Sequence, residues 1–424
     1  MIIAPPDLLN SDTFLWASGI ENTFIPQVRP GERALDEYEL MGHYQHWRED
    51  LALARDLGLN ALRWGIPWYR VEPKQGQFDW SWTDQVIPYL VEDLGITPII
   101  DLMHYGCPLW LQGEFANPGY PQAIAAYAAA FAKRYHALVR WYTPLNEPIV
   151  NALMCGKNGA WPPYLYGDEG YVRIMMQLTK GIVQTVAAIK EHAPDACMIH
   201  VEATGLSRTA QEQLKVLAQE EQHRGYLCYD LLTGRIQQDH PLLPWLRRNG
   251  ASADDLAWMR CQNVPIDVMG MNFYPQWSTQ ELFIDEYGRF STRAVEDDGA
   301  GFSALIEDFY QRYHVPIMIT ETSAFGSPAA RSAWLSSSLG TIKALRTSGV
   351  PVIGYTWFPL FTMIDWNYRT SIQPLDACRL DLGLYTLGDQ AQRWHASALV
   401  KEFLALKANK ETVGQLAMEA VMLA

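Results

Sequence analysis

Two short runs in this chain place a glutamate where a strand would end. Tyr142-Thr143-Pro144-Leu145-Asn146-Glu147-Pro148 follows an apolar stretch and stops at a proline, which cannot donate to a sheet ladder. Pro316-Ile317-Met318-Ile319-Thr320-Glu321 repeats the arrangement much later. One such glutamate alone is more often a helix cap or half of an ion pair. Two that face each other are what cleavage of a glycosidic bond requires. One carboxyl stays protonated to donate to the leaving oxygen, and the other stays ionised to attack or to activate water. Other groups near apolar runs fit the same chemistry. Arg63, within Asn60-Ala61-Leu62-Arg63-Trp64, is a cation that is costly to bury without an anion and would hold a neighbouring carboxylate ionised; a structural ion pair is the competing reading. His104 would either donate to a sugar hydroxyl or satisfy a core carbonyl. Tyr274, after Asn272-Phe273, could orient a carboxylate and Trp357 could floor a sugar site, with ordinary packing as the alternative for each. His43 and His46 share a helical face but lack a third ligand, so no metal is expected.

These groups need elements that bring strand ends to one rim. Short apolar segments alternate with stretches of helical periodicity, the pattern of repeated βα units around a parallel sheet. Eight strands are predicted, at residues 13–20, 60–66, 97–103, 141–145, 198–202, 266–272, 316–320 and 351–357. Glu147 and Glu321 then end the fourth and seventh strands, which a closed barrel brings to the same rim. Between the strands, 43–57 carries Tyr44, Trp47, Leu51, Ala54 and Leu57 at helical spacing before Gly58, and 123–137 and 172–192 are likewise periodic. Two insertions, 149–170 and 275–301, follow strands; within the second, 283–290 reads as a small hairpin with Gly288 at its turn. Loops in that position wall a pocket on the C-terminal face of a barrel. The expected architecture is an α/β (β/α)8 barrel, a single domain over 1–424 with inserted loops.

Composition narrows the partners. With 49% hydrophobic residues in 424, a large core is available, although length alone also fits two or three smaller domains. A formal charge of -14 leaves no basic stripe for nucleic acid. Sixteen Trp and 21 Tyr supply flat faces of the kind on which pyranose rings stack, with aromatic core packing accounting for roughly half. The six cysteines show neither a C-x-x-C pair nor framework spacing, so reduced thiols in a cytoplasmic protein are expected. Met1-Ile2-Ile3-Ala4-Pro5-Pro6-Asp7 lacks a basic region followed by an apolar run, which argues against a secretory signal. No apolar stretch is long enough to span a bilayer, so no membrane partner is expected.

Taken together, Thr143 to Pro148 resembles the T-x-N-E-P signature of family 1 glycoside hydrolases, the β-glucosidase family, and Ile319-Thr320-Glu321 resembles the I-T-E that carries that family's nucleophile. Supporting matches follow in order: Phe14-Leu15-Trp16, His43-Tyr44, Asp56 to Asn60 leading into Arg63, His104, Trp161-Pro162-Pro163, Asp267 to Asn272 with Tyr274, Gly354-Tyr355, and Asp365-Trp366. The resemblance covers most of the chain. It implies a two-step retaining hydrolysis of a small β-glycoside without metal or organic cofactor. Glu321 would be the nucleophile and Glu147 the acid/base, with carboxyls about 5–5.5 Å apart. Arg63 and Tyr274 would align Glu321, and Asn146 would hydrogen-bond the sugar hydroxyl next to the anomeric centre. Glu21, His104, Tyr105, Asn272, Trp357, Asp365 and Trp366 would complete the sugar site.

Departures from the family pattern cluster around the sugar. Thr322-Ser323 replaces Asn-Gly after the nucleophile, Phe24 stands where a hydroxyl-binding Gln is expected, with Glu21 as the nearby substitute, and Tyr105 replaces a Trp. The usual W-S-L-L-D-N-F-E-W becomes Phe358 to Trp366, or starts at Trp357 if a gap is allowed. Asp365 there disfavours a 6-phosphorylated sugar unless Arg369 compensates. A transglycosylase or specialised-glycan hydrolase on the same barrel is the alternative, with Phe358-Pro359-Leu360-Phe361 as a hint of an apolar acceptor site; a non-catalytic sugar-binding barrel would not need the carboxylate pair.

Overall fold

The computed structural model describes residues 14–389, 391–409 and 411–415; Thr13, where the first predicted strand begins, and the N-terminal residues before it lie outside them. Eight strands form a closed parallel barrel in sequence order: β1 Leu15–Gly19, β2 Ala61–Gly65, β3 Thr97–Asp101, β4 Trp141–Thr143, β5 Cys197–Ala203, β6 Val268–Asn272, β7 Ile317–Thr322 and β8 Val352–Trp357. The barrel closes where β8 pairs with β1, Leu15 opposite Gly354. Each strand overlaps its expected position. The fourth stops at Thr143 rather than Leu145, since Pro144 has no N–H for the ladder.

Period-two alternation sorts the side chains. Leu15, Ala17, Ala61, Ile99, Trp141, Ile199, Val201, Val268, Met318 and Ile353 fill the barrel interior, while Trp16, Leu62, Ile100, Tyr142, Met198 and Ile319 belong to the layer packed under the helices. Among those helices are α1 His43–Asp56, α2 Tyr120–Tyr135, α3 Gly167–His192, α4 Lys215–Leu232, α5 Ala300–Tyr313 and α6 Pro328–Thr347. α1 and α2 match the predicted helices to within a few residues, and α3 starts five residues earlier than periodicity indicates, where Gly167 takes φ +72°. Gly270 sits inside the barrel because a Cβ there would meet Val201 and Thr320 side chains at 2.9 and 2.8 Å. The hairpin exists, as Thr279–Ile284 paired antiparallel with Phe290–Ala294, and Leu206–Arg208 adds a third strand to it. Among the described residues no helix is long and apolar enough to cross a membrane.

Candidate active site

The inward parity of the strands runs upward into chemistry. Two residues above Ala61 comes Arg63, two above Ile99 comes Asp101, and two above Gly270 comes Asn272, so the interior of the barrel turns polar at its C-terminal rim. Arg63 is 1% exposed, and both terminal nitrogens of its guanidinium are employed: Nη1 donates to Glu321 Oε1 at 2.5 Å and to the Thr320 carbonyl at 3.1 Å, and Nη2 donates to Asp101 Oδ2 at 2.7 Å and Asn146 Oδ1 at 2.8 Å. Strict alternation would turn Glu321 outward with Ile317 and Ile319. The register of β7 shifts against both neighbours between Ile319 and Thr322, and this bulge re-aims Glu321 at the cavity. Tyr274 then donates to Glu321 Oε2 at 2.7 Å.

Glu147 arrives by another route. Its φ of +47° is left-handed, a conformation costing a non-glycine residue roughly 1–3 kcal/mol. Neighbouring bonds hold it: Glu147 N donates to the Val201 carbonyl at 3.1 Å, and Val150 N to the Glu147 carbonyl at 2.9 Å. Pro148 opens the short helix Pro148–Asn151 that follows, where a missing N–H costs nothing. The carboxylate accepts from Asn272 Nδ2 at 2.9 Å on Oε1 and from the Tyr105 hydroxyl on Oε2.

Charge is distributed unevenly over this site. Burial pushes the Glu321 carboxyl up to about 7; Arg63 and His104 oppose the rise, and the facing Glu147 and Glu21 carboxylates add to it. Arg63 thus acts on Glu321 in the expected direction, against burial, while its guanidinium also pairs with Asp101. Asp101, despite its burial, is held below its ordinary pKa chiefly by Arg63. Burial works against a charge on His104, but the nearby Asp101 and Glu21 carboxylates lift its pKa above the usual value. Tyr105 and Tyr274 are pushed far up by burial and by the glutamates they face, so both remain hydroxyl donors.

A cavity of about 290 Å³ opens over these groups, and Glu21, His104, Tyr105, Glu147, Tyr274, Glu321, Asp365 and Trp366 line it. Asn146 and Asn272 do not. Asn146 is fully buried, with its amide spent on Arg63, Tyr105 (3.0 Å) and His104 (3.1 Å), and Asn272 spends its side chain on Glu147 and on Thr320. Trp357 does not floor the cavity: the pairing of β8 with β7 shifts between Val352 and Gly354, so Tyr355 falls on the opposite face from Ile353, with its hydroxyl 2.9 Å from Ser338 on α6, and Trp357 shares that outward face, fully buried and donating to the Leu382 carbonyl at 3.1 Å. Phe358 is the ring that returns over Arg63, 5.7 Å from its guanidinium, against Gly19, where a Cβ would lie 2.6 Å from that ring. Sequence reasoning missed Met154, Trp277, Phe325, Met363, Leu380 and Leu382 on the wall. Only Trp277 offered a signal, as a lone tryptophan in the loop after β6. A second cavity of about 510 Å³ adjoins the first through Glu147, Tyr274, Trp277 and Trp366, with Leu153, Tyr171 and Trp245 among its outer walls. Apart from Glu147, the charged residues that line it are in ion pairs, Arg224 with Glu221 at 2.8 Å and Lys157 with Asp168 behind the wall at 3.3 Å.

An eight-stranded barrel with two buried glutamates on one cavity at its C-terminal rim defines the class, a barrel glycoside hydrolase. Residues 31–274 match the model of Glycosyl hydrolase family 1, and the chain belongs to that family. It is 24% identical over 401 residues to the aryl-phospho-beta-D-glucosidase BglA of Bacillus subtilis, covering 82% of this chain and 80% of that protein. To beta-glucosidase A of Thermotoga maritima it is 24% identical over 356 residues, 76% of this chain and 78% of the other. In fold it is similar to a solved structure of the Thermotoga maritima beta-glucosidase in complex with azafagomine, with a TM-score of 0.80, 20% identity, and coverage of 95% of this chain and 99% of that one.

Proposed function

We propose that this enzyme is a retaining β-glycosidase in which Glu321 attacks the anomeric carbon and Glu147 serves as acid and then base. The observation that carries the assignment is the asymmetry of donors. Glu321 receives a guanidinium beside a tyrosine hydroxyl, while the described donors to Glu147 are neutral, a tyrosine hydroxyl and an amide. Where two nearby carboxyls share a proton, the cation draws the negative charge to its own partner. In the first step Glu147 hands its proton to the leaving oxygen as the bond between Glu321 and the sugar forms; in the second it takes a proton from the water that releases the sugar. The glycone would occupy the smaller cavity. The aglycone would extend into the larger one, whose tryptophans and internally paired charges suit an uncharged, aromatic or apolar group. Six free cysteines, five of them buried, support a reducing, cytoplasmic setting.

The apolar hint of an acceptor site for transglycosylation falls away, because Phe358, Leu360 and Phe361 are buried and line neither cavity. Hydrolysis is the reading retained. Its direct test is incubation with 2-deoxy-2-fluoro-β-glycosides and mass spectrometry of the digest. A covalent adduct on Glu321 is expected, and an adduct elsewhere, or none across several sugars, would remove the assignment.

Two expectations follow from the charges. A carboxyl near 7 must be ionised to attack, so kcat/KM for an aryl β-glycoside should fall as pH drops below about 7, with an apparent pKa belonging to the glutamate pair. A limb centred near pH 4.5 in the pH–rate profile would contradict this. Phosphate on the sugar should be rejected. Asp365 lines the cavity, no described lysine or arginine does, and Arg369 is 2% exposed and committed to Glu32 at 2.7 Å. Repulsion of an anion beside Asp365 predicts kcat/KM on 6-phosphoglycosides lower by roughly 10²-fold or more than on the unphosphorylated sugars.

A further inference from the structure

On β5 the residues of the other parity face away from the barrel interior. His200 and Glu202 alternate with Ile199 and Val201, which point inward, and Cys228 reaches them from α4. His200 Nε2, a Glu202 carboxylate oxygen and Cys228 Sγ all lie within 4.8 Å of one another. All three residues are at least 96% buried, with exposures of 4%, 1% and 1%. Two of the three donor atoms are unanswered: among the described residues neither His200 Nε2 nor Glu202 Oε2 has a hydrogen-bond partner, and they stand 3.9 Å apart, too far to bond each other. Buried polar atoms are rarely left so. Glu202 Oε1, by contrast, is anchored by the N–H groups of Ile149 and Ala203, each at 3.1 Å.

We propose that His200, Glu202 and Cys228 form a zinc-binding site between the barrel and α4, separate from the sugar cavity. Imidazole, carboxylate and thiolate are the three ligand types zinc takes, and bond lengths of 2.0–2.3 Å put one sulfur and two lighter tetrahedral ligands about 3.3–3.5 Å apart, so the trio needs to close by about 1.3 Å at most, leaving the fourth position to water. Charge balance supports the choice of a divalent ion. Binding releases one proton from the thiol and one from the carboxyl, and Zn²⁺ with one thiolate, one carboxylate and a neutral imidazole carries no net charge, which a buried position between apolar layers demands. The sulfur selects zinc over magnesium or calcium, which take oxygen ligands. A bound ion would tie α4 to Glu202, and through the Ile149 N–H to the turn that presents Glu147.

The test uses full-length protein without a histidine tag, refolded from chelator-treated denaturant, titrated with Zn²⁺ against a chromophoric competitor and separately with Co²⁺. One equivalent per chain should bind with Kd on the order of 10⁻⁸ M or tighter, and the Co²⁺ form should show a near-ultraviolet thiolate charge-transfer band. H200F should lower the affinity at least ~10²-fold, and C228A should remove the band. Substoichiometric binding by the wild-type chain, a Co²⁺ complex without the thiolate band, or unchanged affinity in folded H200F would overturn the proposal. If either variant fails to fold, the wild-type stoichiometry and Co²⁺ spectrum still decide.

Discussion

Replacing Glu321 with glycine should lower kcat for an activated aryl β-glycoside by at least ~10⁴-fold, and azide should restore turnover with an α-glycosyl azide as product. The loss is expected to be large because no neighbour can substitute. The groups around Glu321 are donors, Arg63 and Tyr274, which stabilise a carboxylate but cannot attack carbon. The rescue follows from the same geometry. Removing the side chain leaves a space bordered by a guanidinium that has lost one anion and keeps the other, Asp101 at 2.7 Å. A small anion fits that vacancy both sterically and electrostatically. It would attack from the face Glu321 occupied, inverting a β-glycoside to an α-azide. Retention of Asp101 also leaves Arg63 paired, so the variant should fold; near-ultraviolet circular dichroism like that of the wild type checks this. Product configuration is read by proton NMR, and a β-azide would exchange the roles assigned to the two glutamates.

The pair of glutamates was legible because each closes an apolar run, but that criterion does not discriminate by itself. Glu202 also ends a predicted strand, and Asp101 lies two residues inside the predicted end of another. Folding separates the four. Asp101 shares the inward parity of Ile99 and becomes the second anion of Arg63, whereas Glu202 falls on the outward parity of β5, against α4. Parity counted from sequence also places Glu321 wrongly. It takes the bulge in β7 to turn that residue inward, and a register shift is decided by pairing with β6 and β8, which no local pattern records. The misplacement of Trp357 has the same origin. A large aromatic near a strand end reads as a sugar platform, yet one residue of phase assigns it to the helix side and gives the inward place to Phe358. Barrel, helices and insertions were visible because they depend on periodicity over many residues. Hydrogen-bond saturation of Asn146 was not, because it depends on Arg63 of β2 and on His104 and Tyr105 of the turn after β3 converging on one amide.

Glu147→Gln should discriminate between leaving groups rather than abolish activity uniformly. The side chain is nearly isosteric and the site can accept it. Its carbonyl can keep the bond from Asn272, and its amide can donate to Tyr105, whose hydroxyl accepts as readily as it donates. The left-handed backbone at this position is held by main-chain bonds that the substitution leaves in place. What is lost is a transferable proton. Alkyl glycosides, whose oxygen cannot depart as an anion, should lose about 10³–10⁴-fold in kcat/KM, while 2,4-dinitrophenyl glycosides should lose less than ~10-fold in the first step and then stall as the glycosyl-enzyme. Burst kinetics would display that stall. Azide should accelerate the second step and yield a β-glycosyl azide, since it attacks from the face Glu147 occupies after Glu321 has already inverted the centre once. Tyr105→Phe, which removes the hydroxyl that donates to Glu147 and accepts from Asn146 Nδ2, should show the same leaving-group dependence at a smaller scale, roughly 10-fold. Equal losses on both leaving groups would mean that Glu147 positions the sugar instead of protonating it. The opposite anomers expected from the two azide experiments make the roles of Glu147 and Glu321 separable without a bound ligand, because one protein frame predicts α for one variant and β for the other.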